Sequence, residues 1–307
     1  MAAFVLRRLL IALPTLFVIV TLAFFMMRIA PGGPFDGERA LPPEIEANLK
    51  AAYNLDAPLP EQYLRYLGGL LRGDFGPSFK TKDFTVAELI LTGLPVSMKV
   101  GAGALVLALF FGVLLGTIGA LRQNSAIDHS VMSLAIIGIT IPTFVTAPVL
   151  SLVFGVYLGW LPAGGWHEGS LGALILPWIV LSLPLIAIIS RLTRTGMIEA
   201  LRSNFVRTAR AKGLPEPVVV IRHALPAAIT PLVSYLGPAA AGLLTGSLIV
   251  EKIFALPGIG RYFVDGALAR DYTLVLGVVV VFATAIVVLN LIADILYGLL
   301  DPRVRYS

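Results

Sequence analysis

The chain has 307 residues, of which 57% are hydrophobic and only 13% charged, with a formal net charge of +5. Soluble domains carry about 25% charged residues, so this composition excludes a water-soluble globular protein. There is no cysteine, which excludes disulfides, thiolate metal ligands and catalytic thiols. The basic residues lie beside apolar runs, a pattern that indicates membrane orientation and argues against nucleic-acid binding.

Six apolar segments are long enough to cross a hydrocarbon core about 30 Å thick. The first follows Arg7 and Arg8 and resembles a signal peptide, but its 19 uncharged residues exceed the roughly 7–15 of a signal core, so we expect a retained span. The predicted spans are residues 9–27, 100–121, 131–158, 171–190, 232–250 and 273–293. The sequence therefore predicts an all-α integral membrane protein with six transmembrane helices.

A polar segment, residues 30–95, separates the first two spans. Two short amphipathic helices fit within it, near residues 43–53 and 60–71. In the second, apolar side chains recur at helical spacing, namely Tyr63, Leu64, Leu67, Leu70 and Leu71. We expect a small folded helical insertion on the periplasmic side.

Lysine and arginine in the short loops set the orientation. The loop from Gly159 to Ser170 has neither, so it is predicted to face outward. Both termini are predicted to be cytoplasmic, with these basic residues on the same side: Arg7, Arg8, Arg122, Arg191, Arg194, Arg202, Arg207, Arg210, Lys212, Arg222, Arg303 and Arg305.

The predicted spans carry no ionisable residue near their centres; Lys99 and Asp294 lie at span ends, and we expect Asp294 to snorkel or to pair with a cytoplasmic arginine. Ion-coupled carriers place costly charges at midplane, so a secondary transporter is disfavoured. The chain has no phosphate-binding loop, so it does not hydrolyse ATP itself. His129, His167 and His223 are predicted in separate loops. They form no metal motif, and no nucleophile elbow is present, which disfavours an intramembrane enzyme and leaves no catalytic or metal-binding residue.

Small residues and prolines mark the later spans. Gly112 with Gly116, and Gly242 with Gly246, form G-x-x-x-G patterns that favour close helix approach. Packing within this bundle is the first interpretation and a dimer face the second. Polar or helix-breaking residues at depth are candidates for the substrate path, although each also fits a purely structural role: Thr140, Pro142, Thr143, Ser182, Ser234 and Thr245.

The cytoplasmic loop of residues 191–231 is longer than a connection requires. Residues 197–212 contain no proline or glycine and predict a helix, which Gly213 caps and Pro215 stops. A second short helix is predicted at residues 217–224. Such a basic bracket either anchors to anionic lipid or docks on a soluble partner.

The same loop resembles the cytoplasmic signature of permeases of binding-protein-dependent ABC importers. Ala209, Gly213 and the pair Leu225-Pro226 match that signature, whereas Arg207 replaces its leading acid and His223 its isoleucine. The whole chain is similar to the oligopeptide and dipeptide branch, and to its B-type subunits in particular. The further matching segments are residues 26–35, 73–79, 207–215, 257–260, 270–275 and 300–303.

The resemblance implies an ABC type I importer permease fold in the bacterial inner membrane. It implies a first helix at 1–29, the insertion at 30–95, a five-helix core at 96–299 and a cytoplasmic tail at 300–307. Residues that would couple to an ATPase are Arg207, Thr208, Ala209, Arg210, Lys212, Gly213, Leu225 and Pro226.

The implied partners are a homologous C-type permease subunit, two ABC ATPases of D and F type, and a periplasmic peptide-binding protein. ATP and Mg are expected on the ATPases and no cofactor on this chain, which also contacts lipid and binds no nucleic acid. Glutathione or nickel remains an alternative cargo. The turn at Pro257–Gly260 fits either a rigid connection or a direct role.

Overall fold

The computed structural model describes residues 2–29, 55–81 and 84–300. Within these ranges the regular secondary structure is helical. The one exception in the described ranges is an isolated antiparallel β-bridge between Pro77 and Thr85. The predicted helix at 43–53 lies outside the described residues, as does the tail beyond Leu300.

Twelve α-helices are named in the described part of the chain. They are α1 Ala2–Ile29, α2 Leu59–Leu70, α3 Val86–Leu121, α4 Ala126–Thr140, α5 Thr143–Leu150, α6 Leu171–Leu201, α7 Asn204–Ala211, α8 Glu216–Val218, α9 Leu225–Ala228, α10 Thr230–Ile253, α11 Ile259–Ala269 and α12 Tyr272–Leu300. Wider π-helical turns, Ser151–Tyr157 and Val219–Ala224, follow α5 and α8. Helices α1, α3, α6, α10 and α12 are long and apolar enough to cross a membrane.

The predicted third span, residues 131–158, is broken. Helices α4 and α5 meet at an angle of 100°, because Pro142 forces Ile141 into an extended conformation (φ −85°, ψ 119°). The start of α4 lies beside Arg194 near the end of α6, whereas Gly155 beyond α5 packs on Ala163 before α6 begins. The halves thus reach opposite ends of α6, and counting them as one crossing confirms six spans in the described ranges.

Helix ends also differ from the prediction. Helix α3 begins at Val86 and not near residue 100, so residues 86–95 belong to this helix and not to the outer insertion. Thr85 accepts a hydrogen bond from the Glu88 amide, and Glu88 accepts one from the Thr85 amide, a capping box that starts the helix. Apolarity alone identifies the membrane-embedded part of a helix and misses such capped polar ends.

The centre of the bundle is the pair α3 and α6. A Cβ at Gly112 would collide with Ile189, and one at Gly116 with the Ser190 carbonyl. This confirms the interpretation of the first G-x-x-x-G pattern as packing within the chain. In the second pattern Gly242 faces open space, and a Cβ at Gly246 would lie 3.5 Å from Leu181 of α6, an ordinary contact, so neither glycine is required for close helix approach in the described chain.

Helix α1 lies at the edge of the bundle, against α12. Arg8 and Asp294 form an ion pair of 3.2 Å, which confirms the expected pairing of Asp294 with a cytoplasmic arginine. At the other end Phe24 packs on Tyr63 and Tyr66 of α2, confirming an amphipathic helix there. Leu64 and Leu71 are nevertheless exposed, so the packed face of α2 is narrower than predicted.

Two motifs on the outer side meet at Asp271, which is fully buried. This carboxylate accepts hydrogen bonds from the Ser78 hydroxyl (2.5 Å) and, at the start of α12, from the Leu274 amide (3.2 Å). Thr273 donates to the Pro77 carbonyl (2.6 Å). The segment at 73–79 is therefore fastened to the last span.

The turn at Pro257–Gly260 is built around a second buried carboxylate, Glu251 at the end of α10. The Gly260 amide donates to Glu251 Oε2 (2.8 Å), and the Ile259 amide donates to Ser97 Oγ on α3 (3.0 Å). The carboxylate thus lies at the N-terminus of α11, where helix dipole and free amides favour an anion. This geometry explains the motif as a rigid anchor that joins α3, α10 and α11.

Replacing Gly258 tests this anchor. Its φ of −91° suits any residue, but a Cβ would collide with the Glu251 carboxylate and lie 2.7 Å from Ser97 Oγ. We expect Gly258→Ala to lower the stability by about 1–3 kcal/mol through overpacking, measured as thermal unfolding of the purified protein in detergent. Gly68→Ala, where a Cβ meets nothing within 4 Å, is the matched control. Equal melting temperatures for the two variants would contradict the anchor.

Replacing Asp271 tests the outer fastening. Asp271→Ala leaves the Ser78 hydroxyl and the Leu274 amide without an acceptor, a loss of about 1–3 kcal/mol. The Lys80 amide donates to Asp271 (3.3 Å) and the Thr81 amide to Ser78 (2.9 Å), so we expect both amides to exchange hydrogen faster in this variant, as measured by mass spectrometry. Asp265→Ala, which removes exposed ion pairs with Lys252 and Arg261, is the control and leaves these amides as protected as before. Unchanged exchange in Asp271→Ala refutes the role.

Candidate coupling site and exposed face of α10

The cytoplasmic loop contains a short separate helix. The predicted helix at 197–212 is wrong as one element, because α6 continues to Leu201 and α7 starts only at Asn204. Between them Ser203 is extended (φ −72°, ψ 157°), and its hydroxyl donates to the Ala200 carbonyl (2.6 Å). Serine and asparagine compete with the helical backbone in this way, so the chain turns before α7.

One side of α7 packs against the end of α6 and against the turns that follow α7. Residues 191–228, which comprise these elements, are called the arm below. Val206 and Ala209 are buried with Met197 of α6. The rest of this cluster is Ala120, Ala200, Val219, Val220, Ala224 and Ala228. Ala209, predicted to contact an ATPase, therefore points into the arm. Burial of Val206 and Ala209 on this one side holds α7 against the end of α6.

The other side of α7 is open. Arg207, Thr208, Arg210, Lys212 and Gly213 are exposed. Of the predicted residues beyond α7, Pro226 is exposed and Leu225 packs partly against the buried cluster. The structure thus leaves most of the predicted coupling residues accessible to a partner.

Gly213 ends α7 as predicted. The Gly213 amide donates to the Arg210 carbonyl (2.9 Å) and the Leu214 amide to the Ala209 carbonyl (3.4 Å), the two bonds of a Schellman motif. Gly213 has φ +76°, a left-handed conformation that disfavours other residues.

An ion pair closes the turn after α7. Arg210 donates two hydrogen bonds to Glu216, of 2.5 and 3.1 Å. These bonds lower the pKa of the Glu216 carboxyl and raise the pKa of the Arg210 guanidinium. Arg210 is thus engaged locally, whereas Arg207 and Lys212 form no ion pair within the described residues.

Sequence reasoning missed two exposed apolar residues in this loop. Phe205 on α7 is 49% exposed and Ile221 is 62% exposed. Exposed aromatic side chains are typical centres of protein interfaces. The signal was present, since Phe205 stands among polar neighbours beside the buried Val206.

The predicted path residues fall into three groups. Ser234 and Thr245 lie on an exposed stripe of α10 that also includes Pro231, Pro238 and Gly242. Thr140 and Pro142 are exposed and Thr143 half-buried at the break between α4 and α5, and α5 packs against α10. Ser182 is buried and donates to the Ile179 carbonyl (2.9 Å), so it faces no open surface.

The histidines are not all in loops. His129 lies in α4, His167 in a short 3₁₀ turn and His223 in the second π-helical turn. His167 Nε2 lies 2.9 Å from the Gly164 carbonyl oxygen. Among the residues that the structure describes, no three acidic or histidine side chains are placed to hold a metal ion.

Comparison with known proteins identifies the family. Residues 109–306 match the model of the binding-protein-dependent transport system inner membrane component, and residues 1–100 match the model of its N-terminal region. The chain is 54% identical over 306 residues to the oligopeptide transport system permease protein OppB of Salmonella typhimurium, covering 100% of both chains. It is 53% identical to OppB of Escherichia coli with the same coverage. It is also 41% identical to the dipeptide transport system permease protein DppB of Bacillus subtilis, covering 99% of this chain and 98% of that one. The chain therefore belongs to the family of binding-protein-dependent transport system inner membrane components.

Proposed function

We propose that this chain is the permease subunit of an ATP-driven importer that moves oligopeptides, or dipeptides, across the bacterial inner membrane. The observation that carries the proposal is the arm at residues 191–228. Helix α7 is locked to α6 by Val206 and Ala209 and capped at Gly213, and it exposes Phe205 and Arg207. A rigid helix with an accessible aromatic and basic side is suited to transmit force from a soluble partner. The full-length likeness to OppB and DppB relatives supports the cargo.

The partners under α7 would be two ABC ATPases, of D and F type in the related systems. ATP and Mg would be bound there, so this chain supplies no catalytic residue. Arg207, Thr208, Lys212 and Phe205 would contact the ATPase, while Ala209 and Leu225 stiffen the arm from within. Pro226 marks the start of the return to the membrane.

A second, C-type permease would complete the pathway. The exposed positions of α10 are mostly prolines and small or polar residues, with the large apolar Ile249 among them, whereas those of α1 are mostly large and apolar, such as Leu6, Leu10 and Phe17. Small residues allow another helix to approach, and hydroxyls are satisfied in a hydrated path. A periplasmic peptide-binding protein would deliver cargo at the outer side, near α2 and α11.

The remaining path candidates lie in two places. Ser234 and Thr245 are on the exposed stripe of α10, and Thr140, Pro142 and Thr143 are at the break between α4 and α5. Uncharged hydroxyls and kinked backbone suit cargo of varied sequence. Ser182 is excluded from this set because it is buried, whereas Thr140 and Thr245, whose hydroxyls also bond to carbonyls of their own helices, are exposed.

An ion-coupled carrier fits less well. The fully buried carboxylates in the described ranges, Asp128, Glu251 and Asp271, lie near the ends of spans and each accepts hydrogen bonds. None lies at midplane, where coupling sites occur.

The decisive experiment uses the complex that co-purifies with the full chain. After reconstitution in liposomes, we expect uptake of a labelled peptide with ATP and none with a non-hydrolysable analogue. Competition by glutathione or nickel would reassign the cargo. Uptake that is independent of nucleotide would overturn the proposal.

Helix α7 gives one prediction at the interface. Phe205→Ala removes an exposed aromatic anchor, and such residues contribute about 2 kcal/mol or more to binding. We expect the fraction of ATPase retained on affinity purification to fall, with a steeper loss on dilution. Leu64→Ala, the truncation of an even more exposed apolar residue on the outer side, serves as the control. Equal retention in both variants contradicts docking through Phe205.

The cap of α7 gives another prediction. Gly213→Val places a β-branched residue at φ +76°, at a cost of about 1–2 kcal/mol, and distorts the end of the lever. We expect peptide-stimulated ATPase activity to fall while the basal rate persists. Gly101→Ala, a helical glycine with open space around its Cβ, is the control. Wild-type stimulation in Gly213→Val argues against a lever that depends on this cap.

A further inference from the structure

The base of the broken span is held by a buried ion pair. Asp128, in the first turn of α4, is 1% exposed and lies against Arg194 of α6. Arg194 Nε donates to Asp128 Oδ1 (2.6 Å), and a terminal nitrogen of Arg194 donates to Oδ2 (2.5 Å). The Asn124 amide also donates to Oδ2 (2.9 Å). Such a bidentate pair fixes both distance and orientation of the two helices.

Helix α3 leaves room for this pair. A Cβ at Gly119 would lie 3.1 Å from Asp128 Oδ1 and 3.6 Å from Arg194 Cδ. At Gly116 a Cβ would also meet the Arg194 amide at 3.1 Å. Three helices thus converge on the pair, and α4 cannot slide on α6 without breaking both hydrogen bonds.

Arg194 lies in the same stretch of α6 as the buried cluster that holds α7. Arg194 precedes by three positions Met197, which is fully buried in the cluster that holds α7. Because residues three apart share one face of a helix, α7 and α4 are attached to the same short stretch of α6. A displacement of α7 therefore moves α6 at the point where α4 is fastened.

The opposite end of α4 is the 100° break. Helix α4 runs without interruption from Ala126 to Thr140. Near that end Gly138 approaches the Leu183 carbonyl, where an added Cβ would lie at 3.0 Å. Beyond Pro142, α5 packs against α10, whose exposed stripe is the candidate path.

We propose that Asp128 and Arg194 are positioning residues that make α4 move with the coupling arm. Displacement of α7 then changes the angle at Ile141–Pro142 beside the exposed stripe of α10. This inference rests on the proposed function and specifies which element converts the movement of the arm into a change at the path.

Uncoupling distinguishes this role from simple bracing. A brace that only stabilises the fold lowers the amount of assembled complex, and transport and ATP hydrolysis then fall in proportion. A positioning pair, when weakened, leaves hydrolysis intact and lowers the number of peptides imported per ATP. The number of peptides imported per ATP hydrolysed therefore distinguishes a positioning pair from a brace.

The test compares Asp128→Asn with Asp294→Asn in the complete reconstituted complex. Asp294 forms a carboxylate–arginine pair with Arg8 of α1, outside the arm. We expect Asp128→Asn to lower peptides imported per ATP about fivefold or more, the lower range of typical coupling between sites, and Asp294→Asn to keep the wild-type ratio. An unchanged ratio in Asp128→Asn overturns the inference.

A second measurement covers a variant that fails to assemble. The chain has no cysteine, so Leu134→Cys on α4 and Val149→Cys on α5, both exposed positions, carry a spin-label pair with no other label on this chain, once any reactive cysteines of the partner subunits are replaced. In the otherwise wild-type complex we expect the label distance to change between nucleotide-free and trapped states. We expect this change to be lost with Arg194→Lys, which keeps the charge but not the double hydrogen bond. A distance that is constant in the wild-type background refutes the inference.

The two failures can be told apart. A wild-type complex that imports no peptide overturns the proposed function, and the inference with it. A wild-type complex that imports peptide, combined with normal coupling in Asp128→Asn, overturns the positioning role alone.

Discussion

A charge taken into this bundle must be satisfied by the protein itself, because hydrocarbon offers no hydrogen bonds. Three buried carboxylates accept hydrogen bonds from the protein, although Oε1 of Glu251 has no partner among the described residues. Asp128 joins α4 to α6, Glu251 joins α10 to the start of α11, and Asp271 joins the segment at 73–79 to α12. Each is placed near the end of a span, where desolvation is smaller than at midplane. The charges therefore act as fasteners between elements and leave the apolar centre to helix packing.

Glycine makes those fasteners possible by bringing backbones close to them. Gly258 and Gly260 leave space for the Glu251 carboxylate, and Gly119 leaves space for Asp128. The glycines of α3 at 112 and 116 bring α6 into direct backbone contact. Packing of this kind supplies the van der Waals attraction that holds helices together in lipid, where the hydrophobic effect between helices is absent.

Sequence patterns predicted what depends on local composition. Spans rich in leucine and valine, the amphipathic α2, and the glycine cap at Gly213 follow from periodicity and from residue chemistry within a few positions. Ser78 and Asp271 are 193 positions apart in the chain. The residues around each of them therefore could not predict that the two motifs are in contact. The break at Pro142 was visible as a proline, but prolines at 148, 177 and 184 lie inside helices. Only tertiary packing decides which proline turns the chain by 100°.

The difference between local composition and tertiary packing also explains why residues 197–212 were predicted as one helix. They form the end of α6 and a separate helix, α7. No proline or glycine interrupts residues 197–212, yet Ser203 turns the backbone and its hydroxyl satisfies the Ala200 carbonyl. The turn gives α7 an axis of its own while Val206 and Ala209 keep it pressed on Met197. A continuous helix would project straight from α6 and expose these apolar residues. The split therefore holds α7 as a separate helix packed against the end of α6, and it keeps Val206 and Ala209 buried.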